Sequence, residues 1–304
     1  MIRKSRLYYG IISQMNFAIV FAGGSGERMG GPVPKQYLEL DGRPVLAHTL
    51  ELFESHPLVD GIYLVVGEGH VERAKGIAAK YGVTKLRGVA IGGATAQDSI
   101  YSGLRFVEER ESADSVVLLH DGVRPYVLPE VISANIAAVE KYGSAVTYTQ
   151  CYETIVLSKD GMAVDSIPQR SESYTAQAPQ SFRLRDILAA HERIRARPGG
   201  YAGMVDQATI CFTLGIPVHL VPGNRGNVKI TTPEDLVTLG ALMKWRGANH
   251  NGRLAGPDAH GVLKRQKKPL PDFFNFGPPI SHEAAEELLS VQKDFEVIDE
   301  EMWK

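Results

Sequence analysis

With 304 residues, 44% of them apolar and 22% charged, the chain is long enough for one large or two small domains and apolar enough to pack a core. A net charge of −2 excludes a global basic field, so nucleic acid is not an expected partner and any cationic site must be local. No apolar run is long enough to span a membrane, and Cys151 and Cys211 fit no zinc spacing, which points to buried, reduced thiols in a cytoplasmic protein.

In chain order, residues 1–14 begin with basic side chains but are broken by Ser13 and Gln14, and read as a leader or an alternative start ahead of Met15. "FAIVF" (17–21) is a short buried strand, and the glycines of "FAGGSGERMGGPVPKQYL" (21–38) begin where it ends. Helices are predicted over 45–55, 70–82, 97–110 and 129–142, with strands at 61–67, 89–93 and 115–122 between them. That alternation implies βαβ units and a mainly parallel twisted sheet. From 144 to 167 two strands around Lys159-Asp160-Gly161 predict a hairpin arm that needs another surface to cover it. Helical patterns return at 183–197 and 204–214, with a strand near 217–221. A further helix follows, with Thr232 as cap and Pro233 in its first position. The character changes after Trp245: residues 247–304 read as an extension, a polar and basic linker with one short helix capped by Ser281.

The chemistry gathers at strand ends. The glycine loop lacks the Gly-Lys-Ser/Thr of a Walker loop, and Met29 stands where a dinucleotide fingerprint needs its third glycine. What remains is a loop whose backbone N–H groups wrap phosphates, with Arg28 and Lys35 neutralising charge on a departing phosphate. Gly92-Gly93 and His120-Asp121 also follow strands, so all three segments are expected on one rim of the sheet. Asp121 reads as a metal-binding carboxylate and His120 as a core histidine rather than a base.

"AGGSGERMG", "PKQYL", "HDGVRP", "AQAPQSF" and "NVKITTPEDL" occur in an order that resembles the cytidylyltransferases acting on 2-C-methyl-D-erythritol 4-phosphate or D-ribitol 5-phosphate. The resemblance covers roughly residues 15–246. It implies a Rossmann-like nucleotidyltransferase fold of the α/β class, with CTP and a polyol phosphate as substrates. It also implies Mg²⁺, release of pyrophosphate and a homodimer joined through the arm. It further implies that Arg28, Lys35 and Lys229 are catalytic, and that Ala22, Gly23, Gly24, Gly26, Gly93 and Ser99 hold the nucleotide. Arg124, Thr154 and Arg170 would hold the acceptor, and Asp121 the metal. The chain departs from the family pattern at Ala94 and Ala96, where an acidic residue and an arginine are usual, and at Ala178, where a hydroxyl is expected. Tyr174 is closer to the ribitol-type members. Two readings stay open beside this one: a nucleotidyltransferase of the same fold using another base or a sugar phosphate, and a catalytically inactive nucleotide-binding scaffold.

Overall fold

A computed structural model describes residues 14–24 and 33–250, the last five by backbone alone. The chain runs β1 (Asn16–Ala22), a 3-10 turn (Lys35–Tyr37), β2 (Glu39–Leu40), β3 (Arg43–Pro44), α1 (Val45–Ser55), β4 (Gly61–Val66), α2 (Val71–Lys80), β5 (Leu86–Ile91), α3 (Ala96–Glu108), β6 (Val116–Asp121) and α4 (Pro129–Tyr142). It continues through β7 (Ser144–Gln150), a second 3-10 turn (Arg170–Glu172), β8 (Tyr174–Arg183), α5 (Leu184–Arg195), α6 (Gln207–Thr213), β9 (Leu220–Pro222) and α7 (Pro233–His250).

β1 carries no charged side chain, and all its residues but Phe21 are buried, as suits a strand covered on both faces. Its side chains divide by alternation. Ala18, Val20 and Ala22 join Leu46 and Leu50 of α1 and Ile132 of α4 in one core. Phe17 and Ile19 join Leu104 of α3 and Leu188 of α5 in the other. The seven-stranded sheet has the order β5-β4-β1-β6-β8-β7-β9. β1 is parallel to both β4 and β6, and β4 to β5, while β8 is antiparallel to β6 and β7. The expected α/β fold with a mainly parallel sheet is therefore what forms. The chain builds outward from β1 through β4 to β5, then crosses to β6 on its other side, which opens a crevice beyond the carboxyl ends of β1 and β6.

Two local expectations need correction. The first half of the predicted hairpin is β7, a strand of the main sheet that pairs with both β8 and β9. Residues 151–169 carry one isolated antiparallel bridge, Leu157 to Ser166, around a turn in which the Asp160 carboxylate accepts the Met162 and Ala163 N–H groups. β8 was not anticipated as a strand. Pro179 argues against a strand interior because it lacks an N–H, and the structure absorbs it where the β7–β8 register shifts between Val146–Gln180 and Tyr148–Ala176. Because β8 is antiparallel, its first half projects past the end of β6 and walls the crevice.

A third, smaller core forms where Leu239 of α7 packs with Leu40, Val45, Val123 and Ile230. It seats the segment before α7 against the loop after β6, and the Ile230 N–H donates to the Val123 carbonyl at 3.0 Å. The α7 start is capped by Asp235, whose carboxylate accepts the Thr231 and Thr232 N–H groups at 2.7 and 2.8 Å. Cys151 and Cys211 are free and buried, and burial pushes the Cys211 thiol up to about 11.

Candidate active site

Ala22, Gly23 and Gly24 leave the end of β1, where a Cβ on Gly23 would come within 3.3 Å of the Gly67 backbone nitrogen. Gly26 and Arg28 lie outside the described residues. Lys35 re-enters in the 3-10 turn, half-buried. Beside it, Gln36 is buried and its Nε2 donates to the Ala22 carbonyl at 2.8 Å and to the Gly24 carbonyl at 3.3 Å. One side chain thus ties the outgoing and returning limbs of the glycine loop together. Residue-by-residue reasoning did not single Gln36 out, although it stands inside the quoted "PKQYL".

Asp121 ends β6, next to Phe21 in register on β1. Its Oδ1 accepts from Lys229 Nζ at 2.9 Å and its Oδ2 from Arg124 Nε at 2.8 Å. Burial would raise this carboxyl, but the Lys229 ammonium and the Arg124 guanidinium outweigh it and hold the group well below the usual carboxylate range. It is ionised at any physiological pH. Arg124 is fixed further by donating from Nη1 to the Asn227 carbonyl at 2.8 Å. His120 is buried, ring-edge against Phe53, with Nε2 3.1 Å from the Arg124 carbonyl. Burial pushes its imidazole down to about 4, so it is neutral and structural, as expected.

Gly93 and Ser99 also meet. The Gly93 N–H donates to Ser99 Oγ at 3.1 Å, and a Cβ on Gly93 would strike Asp98 Cβ at 2.4 Å. This close approach belongs to the first turn of α3, where Thr95 and Asp98 hydrogen-bond each other. Thr154 and Arg170 lie elsewhere: both are exposed, before and after the Leu157–Ser166 bridge, and neither lines the crevice of this chain.

The crevice holds about 170 Å³ and is lined by Asp121, Arg124, Lys229, Gln177, Ala178 and Gln180, among others. A wider depression of about 640 Å³ beside α3 contains none of the three charged groups and is bounded by the Arg195–Asp98 ion pair. Ala96 borders both spaces, so the missing arginine leaves them adjoining at a methyl group. Among the described residues no cluster of three or more His, Cys, Asp or Glu could hold a metal. Asp121 is a single ionised carboxylate, which suits Mg²⁺ only when phosphates and water complete the coordination.

A glycine loop, a paired carboxylate and two cations at the switch point of a doubly covered sheet define an α/β enzyme that handles phosphorylated ligands. The family described as IspD, 2-C-methyl-D-erythritol 4-phosphate cytidylyltransferase, matches residues 16–244. A ribitol-5-phosphate cytidylyltransferase of Vibrio parahaemolyticus is 42% identical over 230 residues, 75% of this chain and 96% of that one. A 2-C-methyl-D-erythritol 4-phosphate cytidylyltransferase of Geotalea uraniireducens is 40% identical over 228 residues, again 75% and 96%. The solved 4-diphosphocytidyl-2C-methyl-D-erythritol synthase of Anaerococcus prevotii superposes with a TM-score of 0.66 at 32% identity, covering 76% of this chain and 96% of that one. The chain belongs to the IspD family and is a cytidylyltransferase.

Proposed function

We propose that this enzyme transfers CMP from CTP to a polyol phosphate, with ribitol 5-phosphate the favoured acceptor. The observation that carries the reading is the Asp121–Arg124–Lys229 cluster, which lines the crevice at the carboxyl end of β6 beside the end of β1. An acceptor phosphate oxygen attacks the α-phosphorus of CTP, a P–O bond forms, and the bond to the β-phosphate oxygen breaks. Pyrophosphate leaves with that electron pair. No base is needed, because the attacking oxygen is already ionised, and the work is positioning and charge stabilisation.

Lys229 sits at the α-phosphate and Arg124 holds the acceptor phosphate. Arg124 Nε and Nη1 are engaged by Asp121 and Asn227, which leaves Nη2 to face a ligand. Lys35 and Arg28 neutralise the departing pyrophosphate, while Ala22, Gly23, Gly24 and Gly26 wrap the triphosphate with backbone N–H groups. Gly93 and Ser99 hold the nucleoside. Asp121 would hold Mg²⁺, which when bound supplies positive charge to the phosphate oxygens. Thr154 and Arg170 reach the acceptor from the arm of the other subunit of a homodimer. No helix among the described residues is long and apolar enough to cross a membrane, and reduced cysteines accord with a cytoplasmic enzyme. Residues 15–246 would be the catalytic domain, 1–14 a leader or an alternative start, and 247–304 an extension dispensable for the chemistry.

Ribitol is favoured over methylerythritol because Ala178 presents a methyl group and Tyr174 stands at the start of β8. Pyrophosphate release is measured with each of the four nucleoside triphosphates and with both acceptors. Rapid release with CTP and ribitol 5-phosphate is expected. Preference for another nucleotide would overturn the choice of base, turnover with methylerythritol phosphate alone would overturn the acceptor, and no turnover at all would favour the scaffold reading.

A further inference from the structure

Three neutral amides line the crevice, and two of them are committed to the protein. Gln180 donates from Nε2 to Asp206 at 2.9 Å and accepts the Gln207 and Ala208 N–H groups at 3.1 Å each. Gln207 is buried and donates to Gln97. Gln177 differs. It is half-exposed, and its amide is held by two contacts of 3.4 Å: Nε2 to the Asn224 carbonyl, and Oε1 from Asn227 Nδ2. Both lie at the weak end of the hydrogen-bond range. One N–H and one lone pair of the amide remain for another group.

The surroundings are built to place this amide. A Cβ on Gly223 would meet Gln177 Oε1 at 2.6 Å, so the side chain takes space that only a glycine leaves. Asn227, which receives Arg124 on its carbonyl, is fully buried and donates to the Ala178 carbonyl at 2.6 Å. Gln177 is thereby set in register with Arg124. The residues on either side of it, Ala176 and Ala178, line the same crevice and offer methyl groups alone.

We infer that Gln177 is a specificity-determining residue that reads a hydroxyl group of the acceptor's polyol chain while Arg124 holds its phosphate. The inference rests on the reading of the crevice as a polyol phosphate site. The weak contacts to Asn224 and Asn227 exchange for bonds to a ligand hydroxyl, which both donates and accepts as the amide does. A site that hydrogen-bonds a substrate hydroxyl discriminates against the analogue lacking it, because its own polar group is then left unpaired.

The full-length enzyme and its Gln177→Met and Gln177→Asn variants are assayed by pyrophosphate release with saturating CTP. The acceptors are ribitol 5-phosphate, or 2-C-methyl-D-erythritol 4-phosphate if that is the one the wild type uses, and the monodeoxy analogues of whichever serves. Wild type is expected to lose about tenfold in kcat/KM on one deoxy analogue. Both variants should lose that discrimination while the KM for CTP holds. The comparison is a ratio within each preparation, so partial unfolding does not alter it. Deoxy penalties in the variants equal to those of wild type would overturn the inference. So would loss of turnover with every acceptor, which would make Gln177 a general structural residue. Failure of wild type with both parent polyol phosphates would instead overturn the reading on which this one stands.

Discussion

The rim cluster and the arm are opposite kinds of structure in one chain. At the rim, Asp121, Arg124 and Lys229 have side-chain exposures of 27%, 13% and 40% and are tied to one another and to the Asn227 carbonyl. On the arm, Met162, Val164 and Ile167 are 89%, 59% and 60% exposed, with one backbone bridge nearby. The rim is organised by the chain itself, so its groups wait in place for charge to develop. The arm's apolar side chains lack cover among the described residues, as in any two-stranded ribbon that is marginal on its own.

The contrast is broken most severely at the cations. Lys35→Ala and Lys229→Ala should each lower turnover by about 10²–10³-fold, the usual cost of removing one transition-state electrostatic contact. The KM for CTP should move much less, since the charge matters most as pyrophosphate departs. Steady-state rates at saturating CTP decide it, and near-normal kcat in either variant would remove that lysine from the mechanism.

The arm is tested by mixing. On the proposed reading Thr154→Glu would set a carboxylate against the acceptor phosphate and should inactivate the enzyme nearly as well as Lys35→Ala does. The two variants are unfolded and refolded together, and mixed dimers are verified by differential tagging. If the arm serves the other subunit, one site of each mixed dimer collects both defects and its twin has neither, so activity returns in part. If the arm serves its own subunit, every site keeps one defect and mixing restores nothing.

The same contrast explains what was legible beforehand. Strand and helix periodicity located β1, β4, β6 and α1 to α4 closely because each has its apolar residues dictated by one or both sheet faces. It missed β8, whose exposed first half and internal proline obey no alternation, and it found β7 as a strand but assigned it to a hairpin, because its apolar residues fit a hairpin as well as a central strand. At the site, glycines and charges at strand ends singled out Gly93 and Asp121, while Ser99, Arg124 and Lys229 were reached only through the family resemblance. Gln36, Asn227 and Gln177 escaped because their importance lies in distant partners. Asn227 reaches back 49 residues to Ala178, and Gln36 14 residues to Ala22; no local pattern announces either.

Acid should weaken the fold in two windows, the upper one through His120 beside the rim and His191 of α5, which is buried against Tyr101 and Tyr201. His120 and His191 are held neutral by burial, with imidazoles pushed down to about 4. Their contribution is whole above the ordinary histidine pKa of about 6.5 and is lost as pH falls toward 4. The depressed Asp121 carboxyl contributes stability that is whole above about pH 4 and is lost as pH falls through its lower folded value. Asp121→Asn should cost about 1–3 kcal/mol at pH 7, the worth of charged hydrogen bonds. It should also flatten the lower window and widen the histidine window, because the Asp121 charge opposes the burial that pushes the His120 imidazole down. Denaturant midpoints across the pH range measure both, and an unchanged slope below pH 4 would show that the cluster does not stabilise the fold.

The smallest effect is expected from the C-terminal extension, and α7 sets where the cut belongs. The helix runs to His250, beyond the end anticipated at Trp245. Leu236, Leu239, Leu242 and Met243 pack with Leu40, Val45, Val123 and Ile230, the last of which is bonded to the loop carrying Arg124. Truncation before Pro233 would strip that cover from the Lys229 segment, and severe loss of both stability and turnover should follow. Truncation after Asn251 leaves α7 whole and retains the span matched to the family, residues 16–244. Turnover should then stay within about threefold of the full chain. Steady-state kinetics and thermal midpoints of the two truncations compare them directly. A folded protein that loses its activity when cut after Asn251 would put the extension into the working of the rim, and the site would no longer be the product of the sheet and α7 alone.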